Sequence, residues 1–154
     1  MSGEDFSQFS MLDLFKAELE TQSEALTTGL LALERNPVAA DHLEACMRAA
    51  HSLKGAARII DLTPAVEVAH AMEECLVAAQ RGKITLRHDH IDALLRGVDL
   101  LVAIALSENP EAPRVKADVA QFQRTLEAAV AATSEPAAPP AAAPAPNPVE
   151  PASI

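Results

Sequence analysis

The prolines of this chain fall only where a helical pattern breaks, and this limits the fold more than any other feature. Up to residue 132 there are four of them: Pro37, Pro64, Pro110 and Pro113. Each stands in or beside a connection between segments whose apolar residues recur three and four apart. A proline inside a helix costs about 3 kcal/mol, so turn chemistry and periodicity mark the same boundaries independently. Five helices are expected. The first runs from Ser10 to Glu34, opened by Ser10 and Asp13 in capping-box positions, with Phe15, Leu19, Leu26, Leu30 and Leu33 as its apolar stripe, and ends at Asn36-Pro37. The second runs from Asp41 to Ile60, with Asp41 and Glu44 in capping positions. The third opens on Thr63 as cap with Pro64 first in the helix, and runs to Arg81, where Gly82 stops it. The fourth spans Leu86 to Leu106, turning Ile91, Leu94, Leu95, Val98, Leu101 and Val102 inward. The fifth starts at Asn109-Pro110 and ends near Ala131, carrying Val115, Val119, Phe122 and Leu126. Strand signals are nearly absent: β-branched runs are short and there is no Asn-Gly or Asp-Gly turn. Short connections make successive helices antiparallel neighbours. The expected fold is all-α, an up-down four-helix bundle with an accessory fifth helix.

From Thr133 the composition changes. TSEPAAPPAAAPAPNPVEPASI holds seven of the eleven prolines and no large apolar cluster. Such a stretch buries too little surface to offset chain entropy. The chain therefore divides into a bundle at 5–132 and an Ala/Pro-rich linker at 133–154, and is expected to be the N-terminal piece of a longer protein. A net charge of −10 argues against nucleic acid as a partner, which would need a basic stripe. No apolar run approaches membrane-spanning length and the N-terminus is acidic and polar, so no membrane insertion and a cytoplasmic location are expected. Cys46 and Cys75 sit within apolar helical patterns and are expected as buried free thiols. No sustained heptad calls for a coiled-coil seam, so the bundle is expected to be a monomer.

One stretch of the second helix does not fit a purely structural role. It reads AAHSLKGAARIIDL, residues 49–62. Glycine within a helix costs about 1 kcal/mol relative to alanine. At 100° per residue, Leu43, Cys46, Ala50, Leu53, Ala57 and Ile60 gather on one side as the core stripe, and His51 points the other way. Within about 60° of His51 lie Glu44, Met47, Arg48, Lys54, Gly55 and Arg58. Three of the twelve cations of an acidic chain thus share one face with one histidine, a setting that attracts a dianionic group. On the third helix Ala65, Val68, Ala69, Met72, Cys75, Leu76 and Ala79 form the core stripe. His70 points away from it, with Glu73 and Glu74 one turn on. As antiparallel neighbours the two helices can flank a common groove, which allows a His51–Glu73 contact. Gly55 lies beside His51 on the surface and would leave its imidazole open to a docking protein; tight helix packing is the competing explanation. His42, His88 and His90 read as solvated surface residues.

AAHSLKGAAR resembles the H-[ST]-x-K-G phosphorylation motif of histidine phosphotransfer domains. More narrowly, residues 10–105 are similar to the N-terminal phosphotransfer domain of CheA-type chemosensory histidine kinases. That family follows the motif with H-x-x-E-x-x-L and an arginine–glycine element, here His70-Ala71-Met72-Glu73-Glu74-Cys75-Leu76 and Arg81-Gly82-Lys83. The Ala/Pro-rich tail matches the long linker of such kinases, and AARIIDL is similar to hybrid kinases of surface-sensing or alternative-output systems. The resemblance implies a carrier without kinase activity of its own. His51 would take a phosphoryl group from an ATP-binding kinase domain and pass it to an aspartate of a response-regulator receiver domain. Lys54, His70 and Glu73 match the family's supporting polar network, and Arg48, Gly55 and Arg58 would meet partners. The chain departs from the family at Ile59-Ile60-Asp61-Leu62, where a glycine is common near the end of the helix.

The chemistry adds its own requirements. An imidazole attacks phosphorus through an unprotonated nitrogen, and an acceptor on the other nitrogen fixes the tautomer. Glu73 is expected to accept from His51 Nδ1–H, leaving Nε2 as nucleophile, with Lys54, aided by Arg48 or Arg58, steadying the phosphoryl oxygens. The chain has no G-x-x-x-x-G-K-[ST] loop, so ATP and Mg²⁺ would be held by the partner kinase domain and no cofactor by this one. Two other readings compete. A carboxylate-bridged metal bundle needs Glu-x-x-His units in pairs, whereas His70-x-x-Glu73 is reversed and single, and His88-x-His90 does not share a face. An interaction module that has lost phosphorylation would not need His51, Lys54, Gly55, His70 and Glu73 together.

Overall fold

The computed structural model describes residues 3–134, with side chains over 11–132. The expected 133–154 linker lies outside the described residues beyond Ser134. Five helices make up the bundle: α1 (Gly3–Arg35), α2 (Ala40–Ile59), α3 (Thr63–Gln80), α4 (His88–Leu106) and α5 (Pro113–Ser134). There is no strand among the described residues. The first four close a ring in which α1 packs on α2 and α4, and α3 on α2 and α4; α5 lies over the α3–α4 seam. All-α architecture and the accessory fifth helix are as expected.

The core follows the predicted stripes. Leu26, Leu30, Leu33, Leu53, Met72, Leu76, Ile91, Leu94, Leu101 and Ile104 are fully buried, and Val119, Phe122 and Leu126 bring α5 onto them. Burying one such side chain stabilises the fold by about 1.5–3 kcal/mol, so a core of this size dominates the stability. Cys46 and Cys75 are buried free thiols, and burial pushes them up to about 11 and about 12. They are therefore uncharged, poor nucleophiles.

Helix ends are where the expectations err. α1 starts at Gly3, so Ser10 lies inside the helix and its capping box with Asp13 does not exist. α2 is capped at Ala39 without a side-chain bond. Asp41 instead stands in the first turn, where its charge favours the helix dipole, and Glu44 pairs with Arg48. In α3 the N-cap is Leu62, which places Thr63 and Pro64 first and second in the helix. Leu86 is buried ahead of α4 rather than within it. Asn109 caps a turn instead of a helix: its side-chain oxygen accepts from Glu111 N–H and its carbonyl from Ala112 N–H. The helix then starts at the second proline, Pro113. Val102, expected inward, is exposed, because it lies at the open edge of a groove between α4 and α1 rather than in the core.

His90 is the largest correction. Expected on the surface, it is 1% exposed. Its Nδ1 accepts from Arg87 N–H at 2.9 Å, and its Nε2 donates to the Ala129 carbonyl of α5 at 3.1 Å. It therefore caps α4 and ties α5 down. His88 is exposed as expected but pairs with Glu34 of α1, and His42 is half-buried.

Candidate functional site

α2 turns one face to the core through Leu43, Cys46, Ala49, Ala50, Leu53 and Ala57. The residues between them point to solvent or to the flanking helices, and His51 is 68% exposed. From α3, Glu73 reaches across the groove. Its Oε2 lies 2.7 Å from His51 Nδ1, and its Oε1 lies 2.7 Å from Lys54 Nζ. Oε1 is buried and receives no other hydrogen bond, so the Lys54 ammonium compensates it as an ion-pair partner.

Protonation follows from this arrangement. Burial alone would raise the Glu73 carboxyl, but hydrogen bonds and charge from Lys54 and His51 outweigh it and hold the group below its ordinary value. An ionised carboxylate only accepts. Nδ1 of His51 must therefore carry the proton, and when the ring is neutral the Nε2 lone pair is free toward solvent. The site presents a nucleophilic nitrogen backed by a carboxylate and a lysine.

Other expected members take different places. His70 is exposed, with Nε2 3.3 Å from Glu74 Oε2 one turn along. It is outside the His51–Glu73–Lys54 set, although it lines the same shallow recess as Glu73, together with Arg81 and Lys83. Arg48 is exposed and bonded to Glu44 of its own helix at 2.7 Å. Arg58 is exposed, whereas Met47, placed on this face by the helical wheel, packs partly against the core. A Cβ at Gly55 would meet nothing within 4 Å, so tight packing does not explain this glycine. Sequence reading passed over Glu18 of α1, whose Oε2 accepts from Ser52 Oγ at 2.7 Å. Thirty-four residues separate the two, so no local spacing links them.

Beyond Ile59 the chain reverses with Asp61 at φ 57°. Asp61 N–H reaches the Arg58 carbonyl at 3.1 Å and Leu62 N–H the Ala57 carbonyl at 2.9 Å, a Schellman ending. α3 ends the same way: Gly82 stands at φ 77°, and Gly82 and Lys83 bond back to Ala79 and Ala78. The departure at Ile59–Leu62 thus keeps the helix ending and puts an aspartate where glycine is easiest, one of the few residues that tolerate the left-handed region.

The bundle thus holds His51 in solvent against a carboxylate from the next helix. Residues 10–132 match the sequence model of the Hpt domain, and the chain belongs to that family. Among curated proteins it is 31% identical over 97 residues to the sensor histidine kinase CheAY of Helicobacter pylori, covering 63% of this chain and 12% of that protein. It is 31% identical over 127 residues to the chemotaxis protein CheA of Treponema pallidum, covering 80% of this chain and 16% of the relative. The chain thus spans less than a fifth of the length of either. Among solved structures, the phosphorylated P1 domain of CheA3 in complex with CheY6 from R. sphaeroides superposes with a TM-score of 0.69 at 22% identity, covering 81% of this chain and 98% of that one. The histidine phosphotransfer domain of CheA gives 0.59 at 22% identity, covering 82% and 92%. No described helix is long and apolar enough to cross a membrane.

Proposed function

We propose that this domain carries a phosphoryl group on His51 between the ATP-binding domain of a CheA-type histidine kinase and an aspartate of a receiver domain. One observation carries the reading: Nδ1 of His51 is held by an ionised carboxylate while Nε2 faces solvent. In the forward step the Nε2 lone pair attacks the γ-phosphorus of ATP, an N–P bond forms, the bond to the bridging oxygen breaks, and ADP leaves. The Nδ1 proton stays on the ring, and Glu73 stabilises the positive charge that develops there. In the second step a receiver carboxylate attacks phosphorus, the N–P bond breaks, and the electron pair returns to Nε2. ATP and Mg²⁺ belong to the kinase partner; this chain supplies the nucleophile and its surroundings.

Roles divide by geometry. Glu73 orients His51. Lys54 helps keep Glu73 ionised and, about one turn along α2 from His51, would meet phosphoryl oxygens. Gly55 leaves the approach to the ring clear, and Arg48 and Arg58 border it with positive charge that draws an anionic partner. His70 acts at the docking rim, outside the hydrogen-bonded set. The solved P1 domain of CheA3 bound to CheY6 supports the receiver half of the reading, and the family match supports the histidine.

Mixing the chain with ATP, Mg²⁺ and a CheA kinase domain tests this. Acid-labile, base-stable phosphate is expected on the wild-type chain and lost in His51→Gln. Labelling that survives in His51→Gln contradicts the assignment, as does labelling of the chain alone without the kinase domain.

A further inference from the structure

The serine of His51-Ser52-Leu53-Lys54-Gly55 has no part in the chemistry above, yet it is held from the opposite flank. His51 and Lys54 both reach Glu73 on α3, while Ser52 Oγ donates to Glu18 Oε2 on α1 at 2.7 Å. Glu18 also accepts from Gln22 Nε2 at 2.9 Å, which steers its carboxylate toward Ser52. The hydrogen bond from Ser52, then that from Gln22, hold Glu18 below its ordinary value against a smaller effect of burial, so it is an ionised acceptor. The helix carrying the nucleophile is thus braced by one carboxylate on each side, at successive residues.

Packing explains why such a brace matters. Around His51 the buried residues of α2 are Cys46, Ala49, Ala50, Leu53 and Ala57. Apart from Leu53 these are small side chains, which interlock less than large ones and leave the rotation of a helix about its axis weakly specified. Further along the α1–α2 pair the spacing is fixed sterically, because a Cβ at Gly29 would collide with Cys46 Sγ. That contact sets the distance at one level and leaves rotation at the His51 turn to other forces. Productive geometry tolerates about 0.5 Å and 10–20°, and a small turn of α2 would pull Nδ1 off Glu73. A charge-assisted hydrogen bond on the far flank opposes that turn.

Resting on the phosphotransfer reading, we infer that Glu18 and Ser52 are positioning residues, which hold α2 in the rotation that keeps the His51–Glu73 hydrogen bond formed. The test uses Ser52→Ala, Glu18→Ala and Glu18→Gln, with phosphorylation rate by a CheA kinase domain, ¹⁵N NMR of the His51 ring and thermal melting. Both alanine variants should lose about 10-fold in rate, and the ring should shift from the Nδ1–H tautomer toward a mixture. Glu18→Gln keeps an accepting oxygen and should recover most of both. In the background of Glu73→Gln, neither alanine change should cost a further rate loss, since the contact it protects is already weakened. If Glu18→Ala does not fold, Ser52→Ala carries the test. Unchanged rate and tautomer in folded alanine variants overturn the inference, as does a rate loss that adds in full to that of Glu73→Gln. A wild-type chain that takes no phosphate on His51 overturns both this and the reading beneath it.

Discussion

The outer face of α2 and the seam between α4 and α5 are each built around a histidine and a mid-helix glycine, with opposite results. On α2, His51 stands in solvent and Gly55 faces open space. At the seam, His90 is buried, and a Cβ at Gly97 would lie 2.9 Å from both Met72 Sδ and the Phe122 ring. The tautomers also oppose. His51 carries its proton on Nδ1, against a carboxylate, and offers Nε2; His90 carries it on Nε2, against a carbonyl, and spends Nδ1 on a backbone N–H. Burial decides what a residue is for. In one place imidazole is open to act as the proposed reagent, in the other it is a cap and a strap. In one place glycine faces open space, in the other it lets two helices close on an aromatic ring.

This contrast makes its sharpest forecast for the two histidines. His51→Gln should abolish phosphorylation, more than 100-fold in rate, while leaving the melting temperature within about 2 °C because the ring buries little surface. His90→Leu should do the reverse: labelling persists in the folded fraction, and stability falls by about 2–3 kcal/mol, since the hydrogen bonds of His90 to Arg87 N–H and to the Ala129 carbonyl are both lost. Equal effects of the two changes on both readouts would erase the distinction.

The glycines come next in size. Gly97→Ala forces Met72 and Phe122 to move and should cost about 1–3 kcal/mol in denaturant unfolding. Gly55→Ala meets no obstacle and should stabilise by up to about 1 kcal/mol through helix propensity. A stability loss at Gly55 would mean that its space is not open.

The smallest effect is in pH. Burial, opposed by its bond to Ala129, holds His90 below its ordinary 6.5. The unfolded chain therefore takes up this proton first, and stability present above pH 6.5 is lost as pH falls through the depressed value. Glu73 adds to the loss below its ordinary 4.5, because its carboxyl is also depressed. Exposed His88, raised by Glu34, has the opposite sign and is screened by solvent. Melting curves from pH 7.5 to 5 should slope downward in the wild type and flatten in His90→Leu. An equal slope in the variant would assign the titration elsewhere.

The sequence was informative about the fold where periodicity is strong. Phe15, Leu19, Leu26, Leu30 and Leu33 are all buried as their spacing required. His51 and Glu73 lay on facing polar sides, and the structure brings them to 2.7 Å. His90 was misread as a surface residue, although it stands four residues before Leu94 and eleven before Leu101 on the core stripe. Residue type outweighed position, because a histidine with both nitrogens satisfied is hard to foresee without the carbonyl of Ala129, 39 residues away. Helix starts were misjudged for a related reason. Ser10, Asp41 and Thr63 all have capping side chains, but α1 already begins at Gly3, Asp41 stands second in α2 and Thr63 first in α3, so none of them is the cap. Glu18 was not legible, as its partner comes from another helix.

The central claim concerns one nitrogen atom. Phosphorylating the chain with a CheA kinase domain and recording ³¹P–¹⁵N correlation spectra of ring-labelled His51 reads it directly. Phosphorus bonded to Nε2, with a proton still on Nδ1, is the predicted result. Phosphorus on Nδ1, or on any residue other than His51, would contradict the account.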